Sequence, residues 1–160
     1  MKHIVLTQEK IALVSDRDLS FIKSYGYWCA FKQRNGDFYA VHVTARPNRK
    51  MLYMHRLIRP GVEKIDYRNH NGLDNRRSNL RPCTSSQNAY NSSRRMNNTS
   101  GFKGVNWHAG KWQARIRVNK IRIDLGRFDS PHAAGQAYAQ AALKFHKHFA
   151  HPDMRGLSCL

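Results

Sequence analysis

The sequence predicts an α+β protein. Short N-terminal strands lead into a strand–strand–helix module, and a three-stranded antiparallel sheet packed on one helix follows. Three observations predict this. Lys111-Trp-Gln-Ala-Arg-Ile-Arg-Val alternates strictly, with Trp112, Ala114, Ile116 and Val118 on one face, the period of a half-buried strand. After Ser130-Pro131, apolar residues recur at helical spacing through Ala134, Ala137, Tyr138, Ala141 and Phe145. Between these and the N-terminal strands lies an asparagine-dense stretch that ends in Thr84-Ser-Ser-Gln87, the signature of a capping box.

The N-terminal elements come first. Tyr39-Ala-Val-His-Val-Thr alternates as a strand. After a turn marked by Pro47 and Asn48, Met51-Leu-Tyr-Met-His-Arg-Leu-Ile reads as the next strand, which places His55 on it. Asp16 is positioned to cap a short helix, and Phe21, Tyr25, Tyr27, Trp28 and Phe31 read as the core of the small sheet. In the asparagine-rich stretch, Asp66 ends a short strand, a glycine- and asparagine-rich turn follows, and a second strand leads into a helix from Ser85 that carries Asn88. Residues 93–100 have almost no apolar content and read as a linker between modules 1–92 and 101–155. In the second module Gly104-Val-Asn-Trp is the first strand, Asn119-Lys120 the hairpin connection and Ile121-Arg-Ile-Asp-Leu the third strand. Ser130 caps the helix and Pro131 opens it.

Charge sets the class of partner. Lysine and arginine number 28 against 10 acids, a net charge of +18 in 160 residues. The excess is spread evenly, with 16 basic and 7 acidic side chains in residues 1–92 and 12 and 3 in residues 93–160. Such a field repels itself unless a polyanion relieves it. The face of the second sheet turned away from its helix should present Gln113, Arg115, Arg117 and Arg122 with Asp124 as the one acid. Arginine forks match guanine edges and phosphates, and a β-ribbon fits the major groove. No apolar run approaches the roughly 18 residues that cross a membrane, and the N-terminus lacks the apolar stretch of a secretion signal, so a cytoplasmic location is expected. Cys29, Cys83 and Cys159 form no CxxC pair, which argues against a disulfide framework or structural zinc.

Ser100-Gly-Phe-Lys-Gly-Val-Asn-Trp, Gly110-Lys-Trp-Gln-Ala-Arg-Ile and Leu125-Gly-Arg-Phe-Asp, followed by Ala133-Ala-x-x-Ala-Tyr-x-x-Ala-Ala, resemble the Apetala/ethylene-response-factor DNA-binding domain over about 50 residues. The resemblance implies a sheet in the major groove, with Asn106, Trp107, Arg115, Arg117 and Arg122 as DNA contacts. Asn106 stands where the plant domains commonly have arginine, so base preference does not transfer.

By residue type, Asp66 and Asn88 offer one carboxylate and one amide oxygen, the sparse hard-oxygen ligation that suits Mg²⁺. Met54-His-Arg-Leu-Ile, then Ile65-Asp-x-x-Asn-x-Asn-Gly-Leu-Asp-Asn-Arg-Arg-Ser-Asn-Leu-Arg, then Ser86-Gln-Asn, resemble the HNH homing endonucleases of phages and mobile introns. Many of these carry the same plant-type module at the C-terminus. The resemblance implies a ββα-metal module in a bacterial host cell, with Asp66 and Asn88 as ligands of one divalent ion and Asn79 as a supporting residue. The histidine that takes the proton in that family is replaced here by Tyr67. An ordinary tyrosine is phenolate in roughly one molecule in a thousand at pH 7, and general-base catalysis contributes about 10²–10⁴-fold. His70 is an alternative base, and His55 reads as structural or phosphate-facing.

The sequence thus points to an HNH-type enzyme that binds double-stranded DNA and nicks one strand with a divalent metal. It indicates no membrane association and no obligate protein partner. Its rival is a catalytically impaired DNA-binding protein, acting as a regulator or as a competitor at a nuclease site. A basic RNA-binding structural protein is a third class, which exposed stacking aromatics would favour.

Overall fold

The computed structural model describes residues 2–94 and 97–150. The chain forms two compact units, Met1–Cys83 and Thr84–Leu160. Residues 151–155 of the second expected module, Arg95 and Met96 of the expected linker, and Cys159 lie outside the described residues. The architecture is mixed α+β, built from small antiparallel sheets and few helices.

In the first unit, β1 (Lys2–Val5) pairs antiparallel with β2 (Ile11–Val14). A 3₁₀ turn at Asp16–Asp18 runs into α1 (Leu19–Lys23). Asp16 is therefore inside the turn rather than its cap, and Ser15 occupies the cap position. The strands β3 (Cys29–Lys32), β4 (Phe38–Val43) and β5 (Met51–Tyr53) form a second sheet in that order.

The expected strand at 51–58 stops at Tyr53, where the chain turns into the helix α2 (Met54–Ile58). Met54 and Ile58, one helical turn apart, are both fully buried, and this i, i+4 burial selects helix over strand. His55 is therefore on a helix. The hairpin β6 (Ile65–Tyr67) and β7 (Leu80–Pro82) completes the unit, with Asp66 opposite Arg81. The core gathers Ile4, Leu6, Val14, Ile22, Trp28, Met54, Ile58 and Leu80. Of the five aromatics expected there, Trp28 is buried and Tyr25 packs beside it, while Phe21, Tyr27 and Phe31 are exposed.

The second unit opens with α3 (Ser85–Asn91), whose capping box is complete: Thr84 and Gln87 each accept from the other's backbone N–H. The helix packs within this unit. Tyr90 stacks on His146 with centroids 3.7 Å apart, and its hydroxyl accepts from the Asn119 N–H. The Lys103 ammonium donates to the carbonyls of Ala89, Tyr90 and Ser92 at the helix end. This is why the unit begins at Thr84, ahead of the linker anticipated at 93–100. In that stretch, Asn98 donates to the Phe102 carbonyl, and the buried Ser100 hydroxyl bonds the Val105 carbonyl.

The strands β8 (Val105–His108), β9 (Lys111–Val118) and β10 (Ile121–Phe128) form the expected antiparallel sheet, with β9 central. The helix α4 (Pro131–His146) covers one face, and the Ser130 hydroxyl accepts from Ala133 N–H at its start. Its own Ala134, Tyr138, Ala139, Ala141 and Ala142 are buried on the inner side. Phe145, expected on this stripe, is exposed. Ala142 and His146 fill the inner face near the helix end instead.

Gly104 has a φ of +73°, and a Cβ there would run into the Tyr138 ring. Both left-handed strain and overpacking oppose a side chain. Gly104→Ala should therefore destabilise the chain by about 2 kcal/mol or more, read as a lower urea midpoint with an unchanged m-value.

Candidate functional site

Two regions collect the residues singled out above, apart from Asn88 on α3. The first is the open face of the β8–β9–β10 sheet. Because neighbours on a strand alternate sides, the register places Asn106, Gln113, Arg115, Arg117, Arg122, Asp124 and Arg127 on the face away from α4. Arg117 lies directly opposite Arg122, and both are exposed. Like charges facing each other across a strand pair destabilise it. No carboxylate pairs with either among the described residues.

Arg115 is half-buried and leans on Asp124, with Nε 3.8 Å from Oδ2. Gln113 is on this face by register yet is buried, donating to Asp124 while its own Oε1 has no hydrogen-bond partner. It is thus a floor beneath the arginines rather than an outward reader. Trp107 pairs with Trp112 across β8 and β9, on the α4 side of the sheet. It remains more than half exposed, but it does not share a face with Arg117 and Arg122. The structure brings Asn106, Arg115, Arg117 and Arg122 together and leaves Trp107 on the other side.

The second region is the hairpin of the first unit. The Asp66 carboxylate accepts from Arg81 Nε at 2.7 Å and pairs with its terminal nitrogen at 2.7 Å, and both side chains are buried. Asn79 closes the loop between the strands. Its Oδ1 accepts from the Asn69 N–H at 3.1 Å and its amide donates to the Asp74 carbonyl at 2.8 Å. His70 adopts a φ of +62° in the turn after β6, its N–H donating to the Tyr67 carbonyl. It lines a shallow cavity with Asp37, Asn69 and Asn71. Asn88 is exposed on α3, in the second unit.

Tyr67 is buried, and its hydroxyl has partners. It donates to Asn75 Oδ1 at 3.1 Å and lies 2.8 Å from His55 Nδ1. Burial, reinforced by Tyr39 and Asp74, holds its pKa well above that of an ordinary phenol. Phenolate is thus disfavoured further than the sequence alone implied. His55 packs among the rings of Tyr39, Tyr53 and Tyr67. Burial, with Arg56 adding to it, pushes its pKa down to about 4. The bond between Tyr67 and His55 was not visible in the sequence, because it depends on α2 replacing the expected strand.

The donor chemistry for a divalent ion fits in kind: Asp66 and Asn88 carry hard oxygens. In charge, Asp66 is already balanced by Arg81. Among the described residues no cluster of three or more His, Cys, Asp or Glu could hold a metal. An ion at Asp66 would draw on water and phosphate beside that one carboxylate. The chain matches no protein-family model. No solved structure matches it either.

Proposed function

We propose that this protein is an HNH-type endonuclease that binds duplex DNA through the open sheet face of its second unit and nicks a phosphodiester bond at the hairpin of its first. The observation that carries the binding half is the unrelieved Arg117–Arg122 pair, with Arg115 in the next row and Arg127 further along the same face. Phosphate and guanine edges are the partners that planar guanidinium forks satisfy best. The nuclease half rests on the resemblance set out above and on the order of elements along the chain, a hairpin that carries Asp66 followed by a capped helix that carries Asn88. By the resemblance, Asp66 would supply the carboxylate for one divalent ion, Mg²⁺ by its hard-oxygen chemistry, and the bound ion would stabilise charge on the attacked phosphate. Asn79 keeps the loop shape.

A second reading, a DNA-binding protein that does not cleave, is favoured by one specific arrangement: Asp66 is spent on Arg81, and Tyr67 on its own hydrogen bonds. Incubation of supercoiled plasmid with the protein and Mg²⁺ or Mn²⁺ separates the two. Open-circular product supports the endonuclease, and shifted but uncut plasmid supports the binder. For the sheet face, Arg117→Ala and Arg122→Ala should each cost about 1–3 kcal/mol on a specific site if they read base edges. Arg115→Ala should cost less, since Asp124 already occupies that side chain. Equal losses on specific and random duplexes would make Arg117 and Arg122 phosphate contacts.

A further inference from the structure

We propose that His55, on the helix after β5, is the proton acceptor for the attacking water, and that Tyr67 is the residue that positions it. The proposal rests on the endonuclease reading and supplies the base that the motif lacks at residue 67.

The amide nitrogen of Asn75 faces the Gly72 carbonyl at 3.5 Å, which turns its oxygen toward the tyrosine. That oxygen can only accept, so the phenol spends its one proton there. His55 Nδ1, 2.8 Å from the same hydroxyl, must then be the donor. An imidazole that carries its proton on Nδ1 has its lone pair on Nε2. Nε2 makes no hydrogen bond to any described residue, and it is not among the buried atoms cut off from a partner. The ring is held by three tyrosines and offers one bare, solvent-accessible nitrogen. In such an arrangement the second-nitrogen contact sets which nitrogen does the chemistry.

The environment keeps the ring neutral at pH 7, since burial lowers its pKa. A phosphodiester brought close would favour the imidazolium and raise that value toward a useful base strength. In the step itself the water oxygen bonds to phosphorus and the water proton passes to Nε2. The bond from phosphorus to the leaving deoxyribose oxygen breaks, and that oxygen takes a proton from solvent. The imidazolium then returns its proton to solvent, so protons balance over the cycle.

The test uses the full chain and has two readouts. Histidine ¹⁵N chemical shifts of the unaltered protein should show His55 in the Nδ1–H form, and Tyr67→Phe should shift population toward Nε2–H. On supercoiled plasmid with Mg²⁺, His55→Gln should slow nicking by about 10²-fold or more while duplex binding and the melting curve hold. Tyr67→Phe should slow it by a smaller factor. Nicking by His55→Gln at the rate of the unaltered protein, or a His55 found in the Nε2–H form, overturns the assignment alone. No nicking by the unaltered protein with either metal overturns the endonuclease reading, and the role of His55 with it. Should His55→Gln fail to fold, the tautomer of the unaltered chain still decides.

Discussion

Replacing Asp66 with alanine should destabilise the first unit by about 3–5 kcal/mol, the range for breaking a buried ion pair by removing one partner. Asp66 and Arg81 face each other across the β6–β7 hairpin, both about 6% exposed at the side chain, with 2.7 Å contacts. Removing the carboxylate leaves a guanidinium in the interior without its counter-charge from Asp66. Arg81→Ala should cost a similar amount for the reciprocal reason. Changing both together to similar-sized apolar residues should be nearly neutral, because the desolvation of two charges disappears along with their attraction. Urea unfolding of the three variants checks this. A single-variant loss below about 1 kcal/mol, the surface-pair range, would show that the pair is solvated. The prediction also changes how an inactive Asp66→Ala must be interpreted, since lost nicking would mix lost metal binding with lost folding. Asp66→Asn keeps the shape but also strips Arg81 of its counter-charge, so the nicking of either variant is read beside its own unfolding curve.

Binding to duplex DNA should weaken steeply with salt. If the protein neutralises some six to ten phosphates, affinity should fall by about 10³–10⁵ between 50 and 200 mM salt, through counterion release. The charge for this is present in both parts of the sequence, with a net +9 from residues 1–92 and +9 from residues 93–160. Arg117, Arg122 and Arg127 are exposed on one face. Removing Arg117 should reduce the slope of log K against log[salt] by about one. Measured by fluorescence anisotropy on one duplex, a flat plot would remove the electrostatic basis of binding.

Local signals were legible in the sequence because they are set by near neighbours. The Thr84–Gln87 capping box, the Ser130-Pro131 helix start and the alternation through β9 depend on contacts within a few residues, and they stand as expected. The pairing of Asp66 with Arg81 was implicit in the hairpin but needed its register, which the irregular loop between the strands conceals. Met51–Ile58 misled because a short apolar run fits strand and helix equally. Only the burial of Met54 and Ile58 together decides between them. That one ambiguity hid the bond from Tyr67 to His55, twelve positions apart in the chain. The burial of Gln113 was missed for a different reason: alternation tells which side a residue takes, not whether its neighbours roof it over.

The clasp of Lys103 on the last turn of α3 bears on how this chain could be taken apart and reused. A graft that starts at Gly101, where the familiar sheet motif begins, would keep the lysine and discard the three carbonyls it serves. The amine, whose burial has lowered its pKa to about 8, would be returned to water, and Tyr90 would no longer cover His146. A graft that starts at Thr84 carries helix, clasp and sheet as one transplantable piece. The seam for building chimeras therefore falls inside the asparagine-rich motif, between its hairpin and its helix, and not in the polar stretch that looks made for cutting.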